Sequence, residues 1–402
     1  MSTHQPAFPE AAQAINRLVS NYADELLFIR RELHKIPEIG FKEFKTSSFI
    51  HEYLKKCDVE ITTGIAGTGI TALLDTGLEG PTILIRADMD GLPIQENSNS
   101  SFASQHKGFM HACGHDAHMT IVLMAVKIFD EIRKDIRGRI LFVFQPAEEG
   151  GGGAKLMAEA GIVEKHNVSC CIAAHIWPTL PSGQIGIHTG PTMAAMDQFE
   201  ITITGRGGHA AKPHETIDTL DTGVQVINAL QRVVSRQVDP LVPAVLTVSS
   251  FHAGEAFNII PDTATIRGTL RTFDTELHNS WEERLHKVIR GICDSTGATY
   301  KLDYQSRYPP VINDSDICRF VNKASVSTVG EENTINIEPT LGSEDVSFFF
   351  ERAPGCMFFI GAEKDAKQSS GRLHSPHFTL DEQVLPIGLR VMCRSACELL
   401  SK

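Results

Sequence analysis

An alternation of short apolar runs with helical segments constrains the fold of this chain more than any other feature. A stretch with helical periodicity, 117–132, lies between the second and third of four such runs. The runs occupy 69–74, 82–87, 139–144 and 168–174. Strands that alternate with helices predict a mostly parallel sheet with helices on both faces, which is an α/β fold. Two more helices are predicted before the first strand, over 11–35 and 43–56.

The pattern changes near residue 190. Polar and apolar residues alternate over 198–204, and a helix, two β-rich runs, a second helix and a strand follow as far as residue 304. This order, β-α-β-β-α-β, is typical of the ferredoxin-like unit. The α/β pattern then resumes with a helix near 314–328, a buried strand at 356–360 and a helix over 381–400.

The length of the chain also favours two domains. A chain of 402 residues with 42% hydrophobic content is too long for one ordinary core. The ferredoxin-like segment is bracketed by Gly190-Pro191 and Tyr308-Pro309-Pro310. We therefore interpret residues 190–305 as an inserted α+β domain, and residues 1–189 with 306–402 as one discontinuous α/β domain.

The charge balance excludes several classes of partner. The chain has 37 basic and 49 acidic residues, a net charge of -12, so the sequence predicts no nucleic-acid partner and no membrane partner. No stretch approaches the roughly 20 apolar residues of a membrane span, and the first thirty residues lack a signal-peptide pattern. Nine cysteines without a pairing pattern fit a reducing compartment. We expect a cytoplasmic protein.

Polar side chains follow the predicted strands at the places where those strands end. They are Asp88 and Asp90, Glu148 and Glu149, His175, and His374. Sites in an open parallel sheet form at the carboxyl ends of the strands, so these groups would converge in one crevice. Cys113 and His115, just before the helix at 117, add a thiolate and an imidazole. This mixture suits Zn²⁺, with Mn²⁺, Co²⁺ or Ni²⁺ as alternatives.

The segment 111–118 is the strongest single indication of a site. A lone histidine such as His175 is more often a hydrogen-bonded core residue than a ligand, and paired acids usually begin a solvated helix. His111, Cys113, His115 and His118 within eight residues have little structural use, which favours metal or catalytic chemistry. The glycine run 150–153 is either a flexible loop or a place where the backbone approaches a ligand.

Six motifs in order resemble those of the hippurate hydrolases, aminoacylases and auxin-conjugate hydrolases, a family related to the dinuclear-zinc carboxypeptidases. The motifs are RADMDGLP at 86–93, MHACGHDAH at 110–118, QPAEEGGG at 145–152, GRGGHAAKPH at 205–214, NIIPD at 258–262 and HSPHF at 374–378. The resemblance spans nearly the whole chain. It implies a metal-binding α/β domain interrupted by a lid and dimerisation domain, and hence a homodimer.

The resemblance also implies roles for individual residues. Two divalent metal ions would bind to Cys113, His115, Glu149, His175 and His374. Glu148 would be the general base, and Asp90 would orient His115. His111 and His118 are left as candidates for supporting contacts.

The resemblance assigns further residues to the inserted domain. His209 would reach across the dimer to the oxyanion of the substrate. Asn258 and Arg271 would bind the carboxylate of the substrate.

The predicted reaction is the metal-dependent hydrolysis of the amide bond of N-acyl amino acids, which releases a carboxylic acid and a free amino acid. Two alternatives remain at this level. One is a thiol amidase in which Cys113 is the nucleophile and His115 or His175 the base. The other is a non-catalytic protein that binds an acyl amino acid or a peptide. The identity of the acyl group stays open.

Overall fold

The structure is a computed structural model, and it describes residues 8–98, 100–363 and 372–401. The helices of these residues are α1 (Phe8–Asn21), α2 (Ala23–His34), α3 (Phe44–Leu54), α4 (His115–Glu131), α5 (Gly153–Glu159), α6 (Ile162–Lys165), α7 (Thr219–Gln237), α8 (Thr275–Thr296), α9 (Ser315–Val329), α10 (Ser347–Phe350) and α11 (Leu385–Leu400). The strands are β1 (Glu60–Ile65), β2 (Gly69–Asp75), β3 (Thr82–Asp88), β4 (Arg139–Gln145), β5 (Val168–Pro181), β6 (Ile185–Ile187), β7 (Gly190–Met193), β8 (Ala195–Thr204), β9 (Gly208–His209), β10 (Ala244–Ala253), β11 (Ile259–Ile260), β12 (Thr263–Thr272), β13 (Thr299–Tyr308), β14 (Val311–Asn313), β15 (Thr334–Asn336) and β16 (Gly355–Glu363). Across the described ranges, no helix is both long and apolar enough to cross a membrane.

The chain divides into two compact units. The second unit consists of Pro191–Val311 and Pro339–Glu344, and the remaining described residues form the first unit. The sequence-based interpretation instead leaves 339–344 with the first domain. Backbone hydrogen bonds explain where this short segment lies, because Ala194 N donates to Thr340 O and Gly342 O, and Thr340 N donates to Thr192 O.

The first unit is built on an eight-stranded sheet in the order β1-β2-β4-β3-β5-β16-β6-β15. The four central strands β4, β3, β5 and β16 run parallel to one another, whereas β2 and β6 pair antiparallel with their central neighbours. Every residue of β3 is buried, and successive residues of a strand point to opposite faces, so both faces of the sheet centre are covered. These observations confirm the predicted α/β class with a mixed, mostly parallel sheet.

The predicted single helix over 11–35 is wrong, because the chain forms two helices that meet at Tyr22. Tyr22 leaves the helical region, with φ of -101° and ψ of 15°. Its ring lies 3.8 Å from the Nζ atom of Lys127, and its hydroxyl donates to Glu131, both on α4. The packing of this ring against α4 accompanies a break that helical periodicity alone does not reveal.

The predicted strand at 168–174 continues to Pro181, which changes the setting of His175. Strand β16 pairs with β5 over most of this length, and Phe359 lies opposite His175. His175 therefore sits inside a strand and not in the loop after one. The apolar run ends at residue 174, but the pairing with β16 keeps the backbone extended beyond it.

The second unit contains an antiparallel sheet in the order β10-β12-β8-β13. Its chain order, β8-α7-β10-β12-α8-β13, is that of the predicted β-α-β-β-α-β unit. Buried residues alternate along β8, and the buried apolar side chains of α7 and α8 form one core with them, including Val226, Leu230 and Trp281. The separate short ribbon of β9 and β11 pairs His209 with Ile259 and Gly208 with Ile260.

Candidate metal centre

Six of the predicted site residues meet in the first unit. They are Cys113, His115, Glu148, Glu149, His175 and His374. Their donor atoms form three overlapping groups, and within each group all donor atoms lie within 4.8 Å of one another. Cys113 belongs to two of these groups, and His115 also belongs to two. These shared residues link the three groups into one cluster. The role of each residue as a ligand or base stays a prediction.

A left-handed glycine places Cys113 and His115. Gly114 has a φ of +87°, and an added Cβ atom there would lie 3.0 Å from the Cβ atom of Ile176 on β5. Only glycine adopts this conformation at little cost, and only glycine leaves room for the strand. Helix α4 begins directly afterwards at His115, two residues earlier than predicted.

The imidazole of His115 is held from one side. Its Nδ1 atom lies 2.8 Å from the carbonyl oxygen of Asp90 and 3.4 Å from Asp90 Oδ1. Its Nε2 atom is buried and has no hydrogen-bond partner among the described residues. A metal-ligating histidine usually donates its second ring nitrogen to a carbonyl or carboxylate, so this arrangement leaves Nε2 available for a metal ion.

The carboxylate of Asp90 positions the two neighbouring glutamates. Its two oxygens accept hydrogen bonds from the backbone nitrogens of Glu148 and Glu149, each at 3.0 Å. The turn carrying this pair is compact, since an added Cβ atom at Gly153 would lie 1.8 Å from Pro146 O. Gly153 in the run 150–153 is therefore required by backbone packing. This explanation is a third one, beside the flexible loop and the approach of the backbone to a ligand that the sequence suggested.

His118 contacts the cluster through its neighbours. Its Nδ1 atom lies 2.7 Å from Asp88 Oδ1, and its Nε2 atom accepts a hydrogen bond of 2.8 Å from the backbone nitrogen of Ile176. Accepting at Nε2 places the ring proton on Nδ1. The ring packs 4.6 Å from that of His175, measured between centroids. His118 therefore adjoins the cluster, and its supporting role stays a prediction.

His175 points its Nε2 atom into the cluster. Its Nδ1 atom lies 2.7 Å from Ile176 O, and its Nε2 atom lies 3.5 Å from Cys113 Sγ. Burial, followed by the nearby His118, holds the pKa of His175 well below its usual value. The imidazole is therefore neutral, which is the form that binds a metal ion.

A buried network around Arg86 adjoins the cluster, and no role was predicted for this arginine. Arg86 donates to Asp88 Oδ2 at 2.6 Å, to Gln145 Oε1 at 2.7 Å and to Asp345 Oδ1 at 3.0 Å. Burial would raise the pKa of Asp88, but His115, Arg86 and His118 hold it well below its usual range. The charged residue inside the otherwise apolar run 82–87 is the signal that could have revealed this network.

His374 occupies a strained backbone position. Its φ is +63°, which is uncommon for a residue with a side chain, and its backbone nitrogen donates to Ala112 O at 2.9 Å. Its Nε2 atom lies 3.0 Å from Glu149 Oε1. Such strain persists only where the surrounding structure fixes it and often marks functional sites.

The electrostatics of the cluster fit a bound cation. Burial would lower the pKa of His115, but the carboxylates of Asp88, Asp90 and Glu149 outweigh it and raise that pKa to about 10. Burial, Glu149 and Glu148 raise the pKa of Cys113 well above its usual value. These negative charges favour a positive ion among them, and the S, N and O donors are those of zinc and related metals.

The raised pKa of Cys113 bears on the thiol alternative. A nucleophilic cysteine needs a lowered pKa so that its thiolate forms near neutral pH. Here the surroundings act in the opposite direction. Without a metal ion beside it, Cys113 is therefore held as the thiol, which is not the nucleophilic form.

The other predicted site residues lie in the second unit. His209 is exposed on β9, and its Nδ1 atom accepts a hydrogen bond from Ala211 N at 3.0 Å. Asn258 is close to it, because Ala210 N donates to Asn258 O at 3.1 Å. Arg271 lies apart from this ribbon on the sheet strand β12, half-buried, and donates to Thr269 Oγ1 at 2.6 Å. The structure thus groups Asn258 with His209 and leaves Arg271 on a different element.

Residues 84–398 match the model of peptidase family M20/M25/M40, and the chain belongs to this family. Among its relatives is the IAA-amino acid hydrolase ILR1-like 4 of Arabidopsis thaliana, 39% identical over 92% of this chain and 84% of that protein. Another is the N-acyl-L-amino acid amidohydrolase of Geobacillus stearothermophilus, 44% identical over 75% of this chain and 81% of that protein.

A solved structure supports the same conclusion. It is a Bacillus subtilis protein described as a dinuclear metal-binding peptidase of the M20 family. It is 33% identical, with a TM-score of 0.82, over 95% of this chain and 99% of that one. These findings confirm the predicted family resemblance. This chain is a hydrolase that acts on amide bonds.

Proposed function

We propose that this chain hydrolyses the amide bond of N-acyl amino acids and releases a carboxylic acid and a free amino acid. The observation that carries the proposal is the pair Glu148 and Glu149, fixed side by side by Asp90 within the donor cluster. One carboxylate can bind a metal ion while the other remains beside it as a base. A protein that only binds a ligand has no need of that second carboxylate. The activities named for the Arabidopsis and Geobacillus relatives supply the substrate class.

Cys113, His115, Glu149, His175 and His374 would hold two divalent metal ions, with Zn²⁺ the first choice and Mn²⁺, Co²⁺ or Ni²⁺ as alternatives. The dinuclear description of the B. subtilis structure supports the number two. When bound, such ions lower the pKa of a water molecule and polarise the substrate carbonyl.

The side chains of this chain then move the protons. Glu148 accepts a proton from the attacking water as the new C–O bond forms. It delivers this proton to the nitrogen as the C–N bond breaks, so the amino acid leaves as a free amine. Adjacent glutamates thus take different roles because only Glu149 is needed as a ligand.

Residues of the second unit would complete the reaction. His209 donates a hydrogen bond to the developing oxyanion, the kind of contact that usually contributes most to amide hydrolysis. In the homodimer that we propose, this histidine comes from the partner copy. Asn258 binds the carboxylate of the substrate. Arg271 is proposed for the same role, although it lies on β12 and not beside Asn258.

The matched variants Glu148→Gln and Glu149→Gln test this assignment. Glu148→Gln should retain the metal content of the wild type and lose activity by about 10²- to 10⁴-fold, since it removes only the base. Glu149→Gln should lose metal as well as activity. Metal content is measured by mass spectrometry and turnover with N-acetyl and N-benzoyl amino acids. Near-full activity of Glu148→Gln would refute the proposal.

Metal removal separates the proposal from the thiol alternative. The chelated wild type should be inactive and should recover when Zn²⁺, Mn²⁺, Co²⁺ or Ni²⁺ is added back. A thiol amidase should keep its activity in the chelator. Activity that survives complete removal of metal would therefore favour Cys113 as a nucleophile.

A further inference from the structure

Two exposed apolar side chains flank Asn258 in the second unit. Phe257 is 99% exposed, and Ile259 is 57% exposed. A hydrogen bond of 3.4 Å from Ile259 N to Ala256 O closes a turn with Phe257 and Asn258 at its centre. The aromatic ring of Phe257 therefore stands in solvent at the tip of this turn.

Ile259 is also the cross-strand neighbour of His209. The two residues are directly opposite in the antiparallel β9–β11 pair. Directly opposite residues place their side chains on the same face, with Cβ atoms about 5 Å apart. His209 and Ile259 thus share one face of the ribbon, and Phe257 and Asn258 directly precede Ile259 in the exposed turn.

The context of Phe257 distinguishes it from an ordinary exposed apolar residue. Single apolar side chains on a protein surface are common and need no explanation. Leu241 is such a residue, 89% exposed in the connection between α7 and β10. Phe257 and Ile259 instead lie on either side of the residue assigned to the substrate carboxylate, and one of them lies beside the histidine assigned to the oxyanion.

We infer that Phe257 and Ile259 contact the side chain of the amino-acid half of the substrate. The chain then prefers N-acyl derivatives of amino acids with large apolar side chains. This inference rests on the proposed function, in which Asn258 binds the carboxylate. Carboxylate and side chain are bonded to the same Cα atom, so a substrate held by Asn258 brings its side chain close to residues 257 and 259. The acyl group lies across the scissile bond.

The variant Phe257→Ala, with Leu241→Ala as its matched control, tests the inference. The kcat/KM values are measured for the N-acetyl derivatives of glycine, aspartate, leucine and phenylalanine, and for N-benzoyl-leucine. In Phe257→Ala, the ratio of N-acetyl-leucine to N-acetylglycine should fall about 10-fold, as expected for a lost apolar contact. The ratio of N-benzoyl-leucine to N-acetyl-leucine should not change. In Leu241→Ala, both ratios should equal those of the wild type.

A second variant, Ile259→Ala, should shift the leucine-to-glycine ratio in the same direction by a smaller factor. Three outcomes would each overturn the inference. They are an equal loss of kcat/KM on all substrates, no change in the kcat/KM ratios, and a shift that follows the acyl group. A fall in the solution mass of Phe257→Ala would also overturn it, since a second copy would then be what covers the ring. If the wild type hydrolyses none of these substrates, the proposed function itself fails. If the wild type hydrolyses them and the variants keep the ratios of the wild type, only the inference fails.

Discussion

Two predicted functional residues of the first unit and two of the second are held in opposite ways. In the first unit, His115 and His175 are buried, and each has one ring nitrogen fixed by a backbone carbonyl. In the second, His209 is exposed on a ribbon of only two residue pairs, and Asn258 is exposed in the turn just before β11. Groups locked by packing and hydrogen bonds hold their geometry before a ligand arrives, whereas exposed groups contribute when the ligand reaches them. Substitutions should therefore change stability and metal binding in the first unit, and turnover alone in the second.

His209→Ala should separate turnover from stability most clearly. Removing one oxyanion donor typically lowers kcat by about 10²- to 10³-fold. Because His209 is exposed, the unfolding temperature and the metal content should match those of the wild type. The control is His214→Ala, another exposed histidine of the same segment, which should keep full kcat. A shared loss of stability in both variants would show that the ribbon is a structural element.

Asp90→Ala should have the reverse signature. It leaves the backbone nitrogens of Glu148 and Glu149 without their acceptors, which costs about 2 to 4 kcal/mol in the free energy of unfolding. Metal affinity should fall by about 10- to 100-fold, as is usual when a supporting contact is lost. Denaturant titration and metal competition measure the two effects. Asp75→Ala is the control, because Asp75 accepts one backbone hydrogen bond at the surface. Normal metal affinity in Asp90→Ala would contradict the comparison.

Metal affinity should rise with pH in the metal-free first unit. His115, with its pKa raised to about 10, is protonated at neutral pH and must lose that proton when it binds a metal ion. The apparent affinity should therefore increase about tenfold per pH unit between pH 7 and 9 for this proton alone. Competition with a coloured chelator measures it. An affinity independent of pH would contradict either the raised pKa of His115 or its binding to the metal ion.

The stability of the metal-free chain should change with pH in the opposite sense. The pKa of His115 is higher in the folded state than the unfolded value of about 6.5, so its protonation stabilises the folded state. This contribution is fully present at pH values below the unfolded pKa. The contribution is lost as pH rises through about 10. Urea titrations of the wild type and His115→Gln at pH 6 and pH 9.5 should show a larger loss in the wild type.

Gly114→Ala should produce the smallest effect of the series. Its φ of +87° and the approach of Ile176 predict a loss of about 1 to 2 kcal/mol in the free energy of unfolding. Activity at saturating metal should fall only a few-fold, since Cys113 and His115 keep their side chains. Gly77→Ala is a useful comparison, because Gly77 also has a positive φ but nothing lies within 4 Å of an added Cβ atom. Equal losses of unfolding free energy in the two variants would mean that the positive φ accounts for the whole effect and that the contact with Ile176 adds nothing.

Periodicity predicted the central elements well and their ends less well. The strands at 82–87 and 139–144 are buried and mostly apolar, so local pattern and tertiary structure agree on their position. The extension of β5 to Pro181 and the break at Tyr22 depend on partners far along the chain, β16 and α4. The short strand β6 pairs with β15 and with β16, and strands of three residues such as β6 and β15 carry too little pattern to be recognised.

The candidate site shows the same division. Cys113 and His115 stand out because histidine and cysteine are dense around them, and the glutamate pair stands out by its motif. The hydrogen bonds from Arg86 to Asp345 and from Ile176 to His118 join residues far apart in the sequence, so no local spacing predicts them. The lid role of the inserted domain and the predicted boundaries at 190 and 305 stay predictions.

The close approach of Gly153 to Pro146 has a consequence for the evolution of this chain. No side chain fits a space in which a Cβ atom would lie 1.8 Å from a carbonyl oxygen, so the turn that carries the two glutamates tolerates little sequence drift. The turn at 256–259 is exposed and free of such limits. New substrate preferences would therefore arise by exchange at positions 257 and 259, while the chemistry is inherited unchanged.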